Sequence, residues 1–141
     1  MVILDTDVLS WLLTEGSPIA VRIRERLRMS GESDAITMVT VQEQLRGRLA
    51  YCSGAKTVEQ YVEGLRRLAD TLEDYRERMI LNFDDAAAAA FKMLKAAKIR
   101  VGTMDLRIAS IALARDATVV TVNVSDFRRV PGLKVEDWTA A

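Results

Sequence analysis

Apolar residues enter this chain in two rhythms. Short unbroken runs, Val2-Ile3-Leu4, Ala35-Ile36-Thr37-Met38-Val39, Met79-Ile80-Leu81 and Thr118-Val119-Val120-Thr121-Val122, have the length and β-branched content of buried strands. Between them, apolar residues recur every three or four positions, the period of a helix face. Thr6-Asp7 offers capping oxygens for a helix through Val8, Leu9, Trp11, Leu12 and Leu13, which Gly16-Ser17-Pro18 ends. A second helix starts at Pro18, carries Ile19, Ile23 and Leu27, and closes at Gly31. Thr40-Val41-Gln42-Glu43 reads as a capping box opening a helix with Val41, Leu45 and Leu49, broken at Ser53-Gly54. From Thr57 the positions Val58, Tyr61, Leu65, Leu68, Leu72, Tyr75 and Met79 form a seam that predicts the longest helix. Asp84-Asp85 can cap a helix of Ala86 to Ala90, Phe91, Met93 and Leu94, and Gly102-Thr103 starts another with Ile108, Ile111, Ala112 and Leu113. The tail from Pro131 to Trp138 predicts a turn and a short edge strand.

Strands separated by helices imply parallel pairing through right-handed crossovers, hence an α/β fold: a three-layer α/β/α sandwich with a parallel central sheet. At 141 residues, half of them hydrophobic, the expectation is one domain over residues 1–141 with a single core. Cys52 is the lone cysteine, so no internal disulfide forms and a reducing, cytoplasmic setting is expected. The opening apolar run stops at Asp5 with no basic flank, too short for a signal peptide or a membrane span.

Charge narrows the chemistry. The 20 basic and 20 acidic residues cancel, and there is no histidine. That excludes a Ser-His-Asp triad and removes the usual zinc ligand, leaving carboxylates with a hard divalent cation as the simplest hydrolytic machinery. In parallel sheets a site lies beyond the carboxyl ends of the strands. Asp5 follows strand one, Glu43 lies in the first turn of the helix after strand two, Asp105 opens a helix, and Asp126 falls in the loop after the 118–122 strand. Gathered together, these acids would repel one another unless a cation such as Mg²⁺ or Mn²⁺ neutralised them. Structural explanations compete for most of them: a capping box for Glu43, an N-cap for Asp7, the helix dipole for Asp105 and an Asx-turn for Asp126. Asp5, ending a buried apolar strand, has the weakest structural reason to be an acid.

Taken together, Val2-Ile3-Leu4-Asp5-Thr6-Asp7, Thr40 to Gly47, and the closing block from Asp105-Leu106-Arg107-Ile108-Ala109 through Thr121-Val122-Asn123-Val124-Ser125-Asp126-Phe127 to Trp138 resemble PIN-domain ribonucleases of the VapC toxin type. The resemblance runs nearly end to end. It implies a Mg²⁺-dependent endoribonuclease, with Mn²⁺ able to substitute, in which Asp5 and Asp105 are the main metal ligands. Glu43 and Asp126 would complete the acidic quartet, and Thr121 would orient ligands or water. It also implies an RNA substrate, tRNA or another structured RNA, together with a cognate antitoxin protein and a homodimer. One departure is Asn123, which occupies a place where many PIN domains carry an acid, so that Asp126 must supply the fourth carboxylate. Asp7 replaces a frequent asparagine.

Two other readings remain open from sequence. The apolar-Asp5-Thr6-Asp7-Val8 opening also resembles HAD-type phosphatases, with Asp5 as nucleophile, but Val124-Ser125-Asp126-Phe127 lacks the second acid of their downstream motif. A PIN fold that has lost catalysis and serves as a binding module is the alternative outside enzymology. With the four acids set aside the rest of the chain is net +4, a weak indication of a polyanionic partner, although helix arginines are more simply paired with neighbouring acids. The Val58 to Met79 seam is read first as a contact inside a helical hairpin, and second as a dimer or antitoxin surface. Trp11 and Trp138 are read as core or rim residues.

Overall fold

The structure, a computed structural model, describes residues 1–140. Strand β1 (Val2–Leu4) is buried on both faces, and its side chains alternate between two cores. Ile3 joins Ala35 and Val119 under the helices α5 (Asp85–Ala96) and α6 (Thr103–Arg115); Val2 and Leu4 join Ile36 and Val120 against α1 (Thr6–Leu12) and α2 (Pro18–Ser30). Adjacent residues of β2 (Asp34–Thr37) and β4 (Thr118–Val120) thus divide between the same two cores, which makes the molecule three layers deep.

The sheet has the order β3-β2-β1-β4-β5, with β3 (Ile80–Leu81) and β5 (Lys134–Glu136) at its edges, and every pairing is parallel. The α/β/α sandwich expected from sequence is therefore the fold observed. With β2 on one side of β1 and β4 on the other, the chain reverses its direction of winding at the β1/β4 pair. A crevice opens there at the carboxyl edge.

Several boundaries differ from those the sequence predicts. The helix α3 (Met38–Ser53) opens two residues before the supposed capping box: Thr37 is its N-cap, extended at φ −111° and accepting a hydrogen bond from the Thr40 amide at 3.2 Å. Two overlapping motifs compete there, and Thr37 prevails because the Thr40 hydroxyl is turned to Thr6 instead. Likewise Asp5, not Thr6 or Asp7, caps α1. Strand β4 ends at Val120, leaving Thr121 beyond it, and Asp126 lies in a one-turn helix, α7 (Val124–Phe127), rather than in a loop. Trp138 is buried with Leu4 and Val120, the core role expected of it.

Helix α4 (Val58–Tyr75) stops short of Met79, and residues 76–79 turn into β3. It packs on α3 at Gly64, where a Cβ would lie 3.0 Å from both Cys52 Sγ and Tyr51 Cδ1, so only glycine admits this approach without displacing a neighbour. Buried Thr71 continues the contact and accepts a hydrogen bond from Arg48 Nε at 3.0 Å, and the Tyr75 hydroxyl donates to Gln44 at 2.7 Å. The apolar seam is not that contact. Only Leu68 and Tyr75 are half-buried, while Val58, Tyr61, Leu65, Leu72 and Met79 are exposed, Val58 to 75%. The hairpin reading of the seam is corrected accordingly: small and polar residues make the closest approach in the hairpin, and five of the seven seam residues face outward.

Candidate active site

Asp5 sits where β1 turns into α1. It is 5% exposed; one carboxyl oxygen accepts from the Val8 amide at 2.9 Å, capping the helix, and the other accepts a short hydrogen bond from the Thr121 hydroxyl. The sequence reading underrated its structural duty, since Asp5 is both a helix cap and a link between the ends of β1 and β4. Thr121 in turn accepts from the Asn123 amide at 2.9 Å. The Asn123 side-chain amide then donates to Asp105 at 3.2 Å and to Asp126 at 3.0 Å. A single chain of hydrogen bonds therefore runs from Asp5 through Thr121 and Asn123 to two more acids. Arg129 lies 3.6 Å from Asp126, one turn further along.

Glu43 reaches the same place from α3. It lies well inside the helix rather than at its cap, and its Oε1 accepts from the Thr6 hydroxyl at 2.9 Å. The Thr6 and Thr40 hydroxyls are 3.1 Å apart. Its capping role disappears with the boundary shift, and its partner beside Asp5 favours a site role. Asp7 is exposed in the first turn of α1 and is not a cap.

The electrostatics show that these acids face one another. Burial pushes the Asp5 carboxyl up to about 6 from 3.8, and the charges of Asp7 and Asp105 add to it, against the opposing hydrogen bonds of Thr121 and Val8. Burial also raises Asp105, with Glu43, Asp126 and Asp7 adding to the effect while the Asn123 hydrogen bond opposes it. All five residues named from sequence, Asp5, Glu43, Asp105, Thr121 and Asp126, thus meet at the crevice. Sequence reasoning left Thr6 and Thr40 out of the site and left open whether Asn123 joins it. Thr40 carried a usable signal, lying one helical turn before Glu43 on the same face.

No three carboxylates among the described residues are grouped tightly enough to hold a metal ion alone. The donor set nevertheless suits Mg²⁺, a hard cation that takes oxygen ligands, retains several waters and needs only one or two carboxylates. Asp5 and Asp105 are the two site acids whose carboxyls are raised, by burial first and by neighbouring acids in addition, so a cation would offset most there. Asp126 is tied to Asn123, which also holds Asp105.

The family model described as PIN domain matches residues 2–133. The chain is similar to the tRNA(fMet)-specific endonuclease VapC of Salmonella typhimurium, 31% identical over 121 residues that cover 82% of this chain and 83% of the relative. It is similar also to Ribonuclease VapC1 of Haemophilus influenzae, 28% identical over 140 residues and 96% of each chain. Among solved structures, the DNA-bound VapBC of Salmonella typhimurium aligns with a TM-score of 0.75 at 27% identity, covering 97% of both chains. No helix among the described residues is long and apolar enough to cross a membrane.

Proposed function

This chain belongs to the PIN-domain family, in its VapC branch, and on that premise we propose that it is a metal-dependent endoribonuclease, the toxin of a toxin-antitoxin pair. Family membership displaces the phosphatase reading. The observation that carries the proposal is the buried Asp5, lifted to about 6 beside Asp7 and Asp105 at the switch point of the sheet. A fold that keeps mutually repelling acids in a crevice gains most when a cation joins them.

Asp5 and Asp105 would hold Mg²⁺, or Mn²⁺ in its place. When bound, that ion supplies a Lewis acid for the phosphodiester and lowers the pKa of a coordinated water. The chain's own groups do the positioning. Thr121 fixes the Asp5 carboxyl by donating to one oxygen while the Val8 amide fixes the other. Asn123 holds Asp105 and Asp126 in one orientation. Glu43, steadied by Thr6, would accept the proton of an attacking water. The exposed apolar side chains of α4, Val58, Tyr61, Leu65 and Leu72, offer a face for the antitoxin or for a second copy in a homodimer.

The test is cleavage of a pool of tRNAs, tRNA(fMet) included, and other structured RNAs by antitoxin-free protein with Mg²⁺, with Mn²⁺ and with EDTA. Asp5→Asn is the control, because asparagine keeps the helix cap that alanine would remove. Discrete metal-dependent products that vanish in Asp5→Asn are expected. A folded protein that cuts nothing with either metal would move the chain to the inactive binding module.

A further inference from the structure

Beside the acids, the same carboxyl edge carries a second feature that the chemistry above does not use. Met38 and Val39 at the start of α3, Gln42 one turn on, Phe83 just past β3 and Arg107 in α6 line a shallow cleft of about 260 Å³. Strand β2 is adjacent to β1 and β3 lies beyond it, so the cleft opens roughly 5 to 10 Å along the edge from the end of β1. It shares both helices with the site: Gln42 precedes Glu43, and Arg107 follows Asp105 by two residues.

The lining has a particular chemistry. Phe83 packs edge-on against Phe91, ring centroids 5.8 Å apart and planes at 79°, which holds the ring while leaving Phe83 37% exposed. The Arg107 guanidinium lies 5.9 Å from the Phe91 centroid, and its hydrogen-bond partner is the Met104 thioether at 3.3 Å. No carboxylate among the described residues pairs with Arg107, whereas Arg28, Arg66, Arg76 and Arg78 are each tied to an acid three or four residues earlier in the chain. A braced aromatic face, a guanidinium without a counter-ion and the exposed Gln42 amide match three features of a nucleotide: a base face to stack, a phosphate to neutralise and a base edge to hydrogen-bond.

The geometry points to a seat for the unpaired base of a nucleotide next to the scissile phosphate, in a single-stranded stretch of RNA, with Phe83 as stacking platform and Arg107 as phosphate clamp. The assignment rests on the nuclease reading for its substrate class. Phe83 and Arg107 would then govern which RNA conformation is accepted, because a base still stacked in a helix cannot reach the cleft.

The experiment uses the full chain in EDTA, so that binding is read without cleavage. A short single-stranded oligoribonucleotide carrying 2-aminopurine is titrated against the parent, Phe83→Leu, Phe83→Trp and Arg107→Gln. Phe83→Leu is expected to weaken binding by about fivefold to 150-fold, the range of one lost base stack, and to abolish the fluorescence quench on binding. Phe83→Trp should retain both, which a merely structural role for the ring would not require. Arg107→Gln should weaken binding and flatten its salt dependence. Unchanged affinity and quench in Phe83→Leu would overturn the seat, as would a parent that binds an acidic peptide in this cleft but no RNA. The two readings fail separately: a quench that depends on Phe83 in a protein without nuclease activity removes the enzyme and keeps the seat, while cleavage that is indifferent to Phe83 does the reverse.

Discussion

Both carboxyl oxygens of Asp5 are engaged within the chain, yet its pKa still rises to about 6, with burial the largest cause. A native value above the ordinary 3.8 means that the folded chain holds this proton more tightly than the unfolded one. Stability contributed by the protonated form is complete below about pH 4 and is lost as pH rises through 6, so above that the buried charge costs the metal-free protein about 3 kcal/mol. Asp5→Asn removes the charge and keeps the cap, so it is expected to raise the thermal midpoint in EDTA near pH 7.5, with the gain fading toward pH 4. Calorimetry across that range checks the sign; a variant less stable than the parent at the upper end would show that the carboxylate is not strained there. At this scale Asp5, Glu43, Asp105 and Asp126 were legible from their places near the strand ends in the expected order of elements, and Thr121 through the family resemblance alone. The roles of Thr6, Thr40 and Asn123 were not, because each is defined by a hydrogen-bond partner at least three residues distant, some in other elements.

Among the elements, α3 is the one whose boundary changes the chemistry. With Thr37 rather than Thr40 as N-cap, Glu43 is released from any duty at the helix start. Thr37→Ala is expected to cost about 1 kcal/mol in urea unfolding, and Glu43→Ala distinctly less, while Glu43→Ala lowers cleavage strongly. Equal stability losses in the two variants would restore the capping box. The long helix α4 teaches a related lesson. Its three-and-four periodicity was plain in the sequence and did predict a helix, but periodicity records only that one face is apolar. Gly64 and Thr71, on the flank of that stripe, set the face that packs on α3, and no pattern of apolar residues marks a glycine as a point of close approach.

For the whole molecule, acids on α1, α3, α6 and α7 share one crevice, so a cation that binds there ties several elements together and favours the native state alone. Mg²⁺ or Mn²⁺ at about 100 times its dissociation constant should stabilise the chain by about 2.7 kcal/mol near pH 7.5. The effect should shrink below pH 6, where protons compete for Asp5, and should be lost in Asp5→Asn. A thermal midpoint that is the same with and without metal would remove the metal site. What the sequence determined by itself was the alternation of strands and helices, hence the parallel sheet and the edge on which acids would gather, because hydrophobic period and strand-end position are local properties of the chain. Tertiary structure alone decided the strand order that put β1 beside β4, the choice of Thr37 over Thr40, the bridge from Asn123 to two acids and the cleft between Phe83 and Arg107. Each of these depends on which side chains meet across the fold, and contacts between residues far apart in the chain leave no periodic trace in the sequence.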